Sequence, residues 1–202
     1  MDLKKKIILI TGAGKGAGRA LALAFAEHGA IVAANDISPI NVEQVVAEIV
    51  GGGGRGKAYI EDVAKKVGVQ VLTDNVEDDF GGIDIVVNHA AVEPHTPLLE
   101  MDEWDWHRTL DVNLTGAFLT IQSAARLMRV KGKGVILNIV AGSGKGASPE
   151  RVEGAAYLSS IAGLKVLSTF ADSELSPHGI RVYAVENSAN VVKDVMSILE
   201  AE

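Results

Sequence analysis

The chain has 202 residues and a formal net charge of −7, and 48% of its residues are hydrophobic. This size and composition predict one domain over residues 1–202 with a full hydrophobic core, and the acidic balance argues against a nucleic-acid partner. The absence of cysteine excludes disulfides and thiolate metal sites. The histidines show no spacing with acidic residues that indicates another metal site. The lack of a secretory signal and of a long apolar run predicts a cytoplasmic protein outside the membrane.

Short β-branched runs alternate with segments of helical periodicity along the chain. Apolar strands separated by helices are typical of a parallel sheet that is covered on both faces. We therefore predict an α/β fold with a doubly wound parallel β-sheet (Rossmann) of about six strands in three α/β/α layers. The predicted strands are Ile7–Ile10, Ala30–Asn35, Lys57–Ile60, Ile83–Asn88, Gly134–Val140 and Ile180–Val185. The predicted helices are Gly18–His28, Asn41–Val50, Val63–Asp79, Glu103–Arg129, Ala155–Ser176 and Ala189–Glu200.

A glycine-rich turn joins the first predicted strand to the first predicted helix. Its sequence is Thr-Gly-Ala-Gly-Lys-Gly-Ala-Gly, over Thr11–Gly18. Glycines let the backbone approach a pyrophosphate, and the first N–H groups of the helix face its charge. Asp36 ends the second predicted strand, where a dinucleotide-binding unit carries a carboxylate for the adenosine ribose. The turn and the acid together predict a nucleotide site.

Three further segments complete a pattern that is known from one protein family. They are Phe80–Ala91, Asp111–Phe118 and His178–Val182. In order with Thr11–Gly18, they resemble the short-chain dehydrogenase/reductase (SDR) family over essentially the whole chain. The Thr-Gly-x-x-x-Gly-x-Gly spacing is that family's form of the glycine fingerprint. The resemblance implies a protein that binds NAD(H) or NADP(H) and transfers a hydride between an alcohol and a ketone.

The resemblance also assigns cofactor roles to individual residues. It implies that the turn glycines line the pyrophosphate and that Asp62 and Val63 lie around the adenine. Asn88 and Ala90 match the family's Asn-Asn-Ala-Gly segment, whereas His89 and Ala91 depart from it. We interpret His89 as a filler and not as a catalytic base. The expected cofactor-binding residues are Gly12, Lys15, Gly16, Ala17, Gly18, Asp36, Ile37, Asp62, Val63, Asn88, Ala90 and Tyr157.

Two residues favour different cofactors. A carboxylate at Asp36 accepts both ribose hydroxyls and repels a 2′-phosphate, which favours NAD(H). A basic residue at the position of Lys15 occurs in family members that bind the 2′-phosphate. Because a carboxylate against a phosphate is a direct clash of like charges, we expect NAD(H) to be favoured over NADP(H).

The catalytic motif of the family is incomplete in this chain. The family uses an Asn to anchor a proton-relay water, a Ser to polarise the carbonyl, a Tyr as acid or base, and a Lys four residues after it. Asn113 and Tyr157 match and are the expected catalytic residues, but Ile161 stands where the Lys belongs. Formation of a phenolate at pH 7 costs about 4 kcal/mol for a tyrosine of ordinary pKa. A neighbouring cation lowers that pKa by about 1–3 units, which isoleucine cannot do.

The serine position is also changed, because Ala141 occupies it. Ser143, two residues later on the same side of an extended strand, could substitute if the end of the strand shifts. Lys165 lies one helical turn beyond Ile161 on the same face, and we interpret it as a surface lysine that is too displaced to replace the ammonium. On the substrate side, Asn187 and Ser188 replace the family's Pro-Gly, and we expect the helical lid and the final strand to have no counterpart.

Two functions remain open at this stage. The first is an NAD-dependent oxidoreductase on an alcohol/carbonyl pair with impaired proton transfer. The second is a non-catalytic NAD(H)-binding protein, either a redox sensor or the inactive partner of an active paralogue. The substrate is not indicated. We also expect a homodimer or homotetramer, because the long helices resemble the family's dimerising pair. The apolar stripe expected to extend beyond the sheet is Ala117, Phe118, Ile121, Ala124, Ala125 and Met128.

Overall fold

Six parallel strands form one sheet in the order β3-β2-β1-β4-β5-β6. The computed structural model describes residues 1–141 and 154–202. The strands are β1 (Ile7–Thr11), β2 (Ile31–Asn35), β3 (Arg55–Tyr59), β4 (Ile85–Asn88), β5 (Gly134–Ala141) and β6 (Ile180–Asn187). The strand order reverses between β1 and β4, so the predicted doubly wound sheet is confirmed and its switch point lies between these two strands.

Helices cover both faces of the sheet. They are α1 (Gly16–Glu27), α2 (Pro39–Gly51), α3 (Lys66–Phe80), α4 (Glu103–Leu110), α5 (Gly116–Lys131), α6 (Ala155–Leu175) and α7 (Val191–Ala201). A π-helical turn, Asp111–Thr115, joins α4 to α5, and a 3₁₀ turn, Ser176–His178, follows α6.

The side chains of β1 alternate between the two cores. Ile8 and Ile10 pack with residues of α1, α2 and α7, such as Phe25. Ile7 and Leu9 pack with residues of α3, α5 and α6. Because a strand sends successive side chains to opposite faces, this alternation produces the three layers that the sequence predicts.

The largest difference from the predicted elements concerns the start of α3. The apolar pattern predicts a helix from Val63, whereas α3 begins at Lys66. The Oδ1 of Asp62 accepts a hydrogen bond from the N–H of Ala64 at 3.0 Å, and the N–H of Lys65 donates to the Asp62 carbonyl at 3.0 Å. A tight turn therefore precedes the helix and leaves Asp62 and Val63 in the loop after β3.

The helix predicted over Glu103–Arg129 is observed as two α-helices, α4 and α5, that are joined directly by a π-helical turn. The π-helical turn at Asp111–Thr115 separates α4 from α5. Such turns hold an extra residue, and the 3.6-residue pattern of the flanking segments gives no sign of it.

A buried polar chain links the centre of the sheet to α6. The Nδ2 of Asn88 donates to the Oδ1 of Asn138 at 2.8 Å, and the Nδ2 of Asn138 donates to the Oγ of Ser168 at 2.9 Å. All three side chains are at least 95% buried. These hydrogen bonds hold the end of β4 at a fixed distance from α6.

The apolar stripe of α5 is covered more completely than the sequence predicts. Ala117, Ile121, Ala124, Ala125 and Met128 are buried, and the expectation that the sheet leaves them open is wrong. Phe118 is the exception, with 42% of its surface exposed. It lies beside Val166 and Phe170 of α6, which are 71% and 64% exposed, in an open apolar groove.

Across the part of the chain that the structure describes, no helix combines the length and the apolar character that crossing a membrane requires. In the same residues, no three histidine or acidic side chains are grouped as metal ligands.

Candidate nucleotide-binding site

A crevice of about 390 Å³ lies at the carboxyl ends of the strands, across the switch point. The predicted cofactor residues that line it are Gly12, Lys15, Asp36, Ile37, Asp62, Val63, Ala90 and Tyr157. Gly16, Ala17 and Gly18 form the start of α1 beside it. Asn88 and Asn113 line a smaller adjoining cavity. The fold thus brings the predicted residues to one edge of the sheet.

The glycine turn allows β1, β4 and α1 to approach closely. Gly12 has a φ of +66°, and a Cβ there would lie 2.7 Å from the Cα of Ala90. A Cβ on Gly18 would lie 2.2 Å from the carbonyl oxygen of Gly12. A side chain at either position would collide with backbone, so both are needed for packing. Gly16, with a φ of +57°, faces open space instead.

The start of α1 is able to receive an anion. Lys15 occupies the N-cap position, its side chain makes no capping hydrogen bond, and the first turn of the helix contains no acidic residue. The first N–H groups of a helix have no partner within the helix and carry a partial positive charge. With Gly16 open beside them, they form a cradle that fits a pyrophosphate.

Asp36 is held in place by the backbone. Its Oδ2 accepts from the N–H of Gly14 at 2.9 Å, and its Oδ1 accepts from the N–H of Ser38 at 2.9 Å. These bonds fix the side chain beside the glycine turn. The next loop is tied to the same place, since the buried Asn35 donates to the carbonyl oxygens of Tyr59 and Glu61 at 3.2 and 3.1 Å.

Arg108 is a crevice residue that the sequence analysis missed. Its Nη1 donates to the Oδ2 of Asp62 at 3.2 Å, and both side chains are about a quarter exposed. The pair connects α4 to the loop after β3 across the crevice. No spacing in the sequence indicates it, because the two residues are 46 positions apart.

His89 closes the crevice floor next to the glycine turn. Its Nδ1 lies 3.2 Å from the carbonyl oxygen of Gly12, and its N–H donates to the Oγ1 of Thr11 at 3.2 Å. Burial lowers the pKa of His89, and this outweighs the opposing effects of the Gly12 carbonyl and of Asp36. The neutral ring therefore packs between the end of β4 and the glycine-rich turn and holds them together.

Asn113 lies within the π-helical turn and is buried. Its Nδ2 donates to the Val92 carbonyl at 2.9 Å and to the Oγ of Ser160 at 3.0 Å, and its Oδ1 accepts from the Val92 N–H at 2.8 Å. Each polar atom of the side chain has a protein partner. The observed role of Asn113 is to tie the segment after β4 to α6.

Tyr157 and Ile161 lie on α6, one turn apart, and both line the crevice. Ile161 is 7% exposed and packs with Ala117, Val140 and Leu164 in an apolar cluster that Tyr157 contacts. Lys165, which is half-buried on the next turn, does not line the crevice. Ser143 and the side chain of Ala141 lie outside the described residues.

One buried polar atom near the crevice has no partner among the described residues. The Oδ1 of Asn88 lines the small cavity beneath the crevice, together with Thr11 and Ile161. The amides of Asn88 and Asn138 can both be turned so that oxygen and nitrogen exchange places. In either orientation one polar atom of the Asn88 side chain is left without a partner. A buried amide normally finds a partner, so this position accommodates a hydroxyl or a water that enters from the crevice.

Comparison with known proteins agrees with this geometry. The family model described as short chain dehydrogenase matches residues 6–196. The chain belongs to the short-chain dehydrogenase family. It is 36% identical over 183 residues to D-threitol dehydrogenase of Mycolicibacterium smegmatis, in an alignment that covers 91% of this chain and 69% of that protein.

Solved structures of this family are similar over most of the chain. The NAD⁺-bound xylitol dehydrogenase has a TM-score of 0.84 at 32% identity, covering 92% of this chain and 71% of that one. A metagenomic short-chain oxidoreductase in complex with NADP has a TM-score of 0.89 at 29% identity, covering 100% and 93%. Similar short-chain dehydrogenases thus bind either nicotinamide cofactor.

The half-buried His89 predicts a pH-dependent stability. Because its pKa is lowered in the fold, its stabilising effect is complete above the ordinary pKa of 6.5 and is lost as the pH falls through the folded value. Between pH 7.5 and pH 5, His89→Asn should lose less free energy of unfolding than the unmodified protein, by no more than about 1.4 kcal/mol per pH unit. Urea titrations at several pH values measure this.

His178→Asn is the control, because His178 is exposed at the end of the 3₁₀ turn. It should retain the pH dependence of the unmodified protein. If His89→Asn also retains the pH dependence, the His89 ring is not the group responsible.

Proposed function

We propose that this short-chain dehydrogenase binds NAD(H) in preference to NADP(H) and is an oxidoreductase on an alcohol/carbonyl pair whose hydride transfer is impaired. The observation that carries the cofactor preference is the carboxylate of Asp36, fixed by the N–H groups of Gly14 and Ser38. A 2′-phosphate placed against it would meet a negative charge that has no freedom to move away. The ribose hydroxyls of NAD(H) would instead donate to it.

The other charges of the crevice support this preference. The crevice is lined by the acidic side chains of Asp36, Glu61, Asp62 and Glu93 and by the basic side chains of Lys15 and Arg108. Arg108 is already paired with Asp62, and Lys15 is exposed at the start of α1. Anionic groups therefore outnumber cations among the described lining residues, which disfavours the more highly charged NADP(H).

Ile161 supports the proposed impairment of hydride transfer. It is buried in an apolar cluster beside Tyr157 at the position where the family carries a lysine. An apolar neighbour disfavours the phenolate and supplies no charge to stabilise it. With alanine at position 141, the aimed hydroxyl donor of the family is also replaced, and loss of one such donor typically costs on the order of 10²–10³ in rate.

The same burial of Ile161 favours a second candidate function, a non-catalytic NAD(H)-binding protein. Such a protein would act as a redox sensor or as the inactive partner subunit of an active paralogue. It needs the glycine turn and Asp36, but it does not need a charged group beside Tyr157. A panel of carbonyl and alcohol substrates, run on samples whose NADH binding has been measured, separates the two candidates.

Removal of the Asp36 carboxylate should change the cofactor preference. We expect the unmodified protein to bind NADH more tightly than NADPH, and Asp36→Ala to narrow or invert the difference. The reason is that the substitution removes the repulsion of the 2′-phosphate and the acceptor for the ribose hydroxyls together. Calorimetric titration with both cofactors measures the ratio.

Glu61→Ala is the matched control, since it removes another carboxylate that lines the crevice. Its effect on the ratio should be smaller than that of Asp36→Ala. Tighter binding of NADPH by the unmodified protein would contradict the proposal and would assign the preference to Lys15.

The catalytic prediction concerns two positions at once. Hydride transfer should be very slow in the unmodified protein, because the lost cation and donor together reduce the rate by up to about 10³–10⁶. The double variant Ala141→Ser with Ile161→Lys should transfer hydride faster than either single variant, since tyrosine needs the cation and the carbonyl needs the donor. The assay follows NADH absorbance with the substrate panel.

A turnover of ordinary size in the unmodified protein that Tyr157→Phe abolishes would contradict this prediction. It would mean that another group supplies the charge. Lys165 and Ser143 would then be the first residues to replace.

We also propose that the chain forms a homodimer or homotetramer through α5 and α6. The groove between these helices exposes Phe118, Val166 and Phe170, and Leu114 and Leu167 complete its apolar lining. A contiguous apolar surface of this kind is unusual on a monomer. A second copy of the chain would bring an identical apolar face against it about a two-fold axis.

Introduction of charge into this groove should dissociate the oligomer. Phe170→Glu would place a carboxylate in the centre of the apolar contact, where burial without a partner is costly. Light scattering at micromolar concentration should show an oligomer for the unmodified protein and a monomer for the variant. Val130→Glu, at an 87% exposed position on the same helix pair, should remain oligomeric. A monomeric unmodified protein would refute the proposal.

A further inference from the structure

The ring of His89 lies on the floor of the crevice, between the end of β4 and the start of α1. Its Nδ1 is 3.2 Å from the carbonyl oxygen of Gly12, and a Cβ on Gly18 would lie 2.7 Å from the same nitrogen. The ring therefore packs against the first turn of α1, whose N–H groups fit a diphosphate. The asparagine that the family carries at this position has no charge to gain, so the histidine brings a property that the family motif lacks.

The two nitrogens of the ring have different surroundings. A carbonyl oxygen only accepts hydrogen bonds, so Nδ1 carries a proton and donates it to Gly12, and in the neutral ring Nε2 is the bare nitrogen. Within the part of the chain that the structure describes, the ring bonds through Nδ1 and not through Nε2. Since His89 lines the crevice, a second proton can bind at Nε2 without breaking the bond to Gly12.

The ring is poised between its neutral and its charged form. Desolvation lowers the pKa of His89, and the Gly12 carbonyl and Asp36 oppose this effect without overcoming it. An anion in the crevice would act in the same direction as Asp36, because a negative charge within about 4–6 Å favours the protonated form of a histidine. The charge of the ring therefore depends on whether an anion is bound beside it.

Charged groups face this part of the crevice from each of the elements around it. Arg108 is paired with Asp62, and Lys15 is exposed to water, which screens its charge. The acidic residues outnumber the basic ones, so a diphosphate gains from any further positive charge on the crevice floor. Besides His89, the titratable and charged residues of the described lining are Lys15 of the glycine turn, Asp36 after β2, Glu61 and Asp62 after β3, Glu93 after β4, Arg108 of α4 and Tyr157 of α6.

We infer that His89 takes up a proton when the dinucleotide binds and thereby supplies a positive charge to its diphosphate. This inference rests on the proposed function, because it adds a ligand-binding residue to the same crevice. By linkage, the affinity for NADH rises as the pH falls through the pKa of His89 in the complex. The rise ends below the pKa of His89 in the free protein, because both states are then protonated.

Calorimetric titration with NADH in buffers of different ionisation enthalpy measures the proton uptake directly. At pH 6.5 the observed enthalpy should depend on the buffer, with a slope that corresponds to more than about 0.3 proton per NADH. The dissociation constant should fall by about three- to thirtyfold between pH 8.5 and pH 6. These measurements require no turnover.

Two histidine variants test which residue takes up the proton. His89→Asn introduces the residue type of the family and should lose at least half of the buffer-dependent slope. His95→Asn is the matched control, because His95 is exposed on the segment after β4, 4.0 Å from the Glu93 carboxylate that lines the crevice. It should bind NADH with the same proton uptake as the unmodified protein.

NMR titration of the histidine imidazoles gives a second measurement on the unmodified protein. The chain has five histidines, and the signal of His89 should titrate at a higher pH with saturating NADH than without it, by about one pH unit or more. The other histidines should titrate at the same pH in both samples.

The outcomes separate this inference from the proposed function. Proton uptake below the expected value, retention of more than half of it in His89→Asn, or an unchanged titration of the His89 signal overturns the inference and leaves the NAD(H) proposal in place. Proton uptake at His89 in a protein that binds NADPH more tightly than NADH supports the inference and contradicts the proposed preference. Failure of NADH to bind at any of these pH values removes both.

Discussion

The site depends on how closely three backbone segments approach one another at the carboxyl edge of the sheet. Gly12 passes Ala90 at a distance that leaves no room for a Cβ, and Gly18 packs in the same way on the carbonyl of Gly12. These contacts place the start of α1 directly over the gap between β1 and β4. The helix N–H groups, the Asp36 carboxylate and the crevice floor all take their positions from this approach.

The hydrogen bonds around that point form a continuous frame. Thr11 receives the N–H groups of His89 and Ala90, which ties β1 to β4. Asn35 ties the end of β2 to the loop after β3. A ligand would therefore meet groups that are already in position, and little ordering of the protein would oppose its binding. Ile161, beside Tyr157, belongs instead to a separate apolar cluster formed by residues of α5, α6 and β5.

Much of the fold is predictable from the sequence for simple physical reasons. Apolar strands such as 7–10 have to be buried on both faces, and the glycines of the Thr11–Gly18 turn permit a positive φ and a close backbone approach that other residues would prevent. The boundary of α3 is less predictable, because an Asp62 side chain that bonds the backbone ahead of it can delay a helix whose apolar pattern has already begun. The π-helical turn is also hidden, since the hydrogen bonds of Asn113 within it reach Val92 and Ser160, which are remote in the sequence.

The residues of the site also divide into those that the sequence predicts and those that it does not. Asp36 and the glycines are predictable because their roles are local in the chain. Arg108 is not, since its partner is brought to it only by the crossing of α4 over the sheet. The exposed groove also escaped prediction in detail, because the composition of α5 does not show which of its apolar residues the sheet covers. Of that stripe, Phe118 alone remains at the surface.

The π-helical turn at Asp111–Thr115 has a consequence for how this chain can diverge. Because such a turn holds one extra residue, deletion of one residue there returns the segment to regular α-helix and keeps α4 and α5 in nearly the same relative rotation. The widened turn, and with it the hydrogen bonds of Asn113 to Val92 and Ser160, would be lost. In homologous chains that keep this architecture, a gap of one residue in this segment should therefore coincide with a different residue at the position of Asn113.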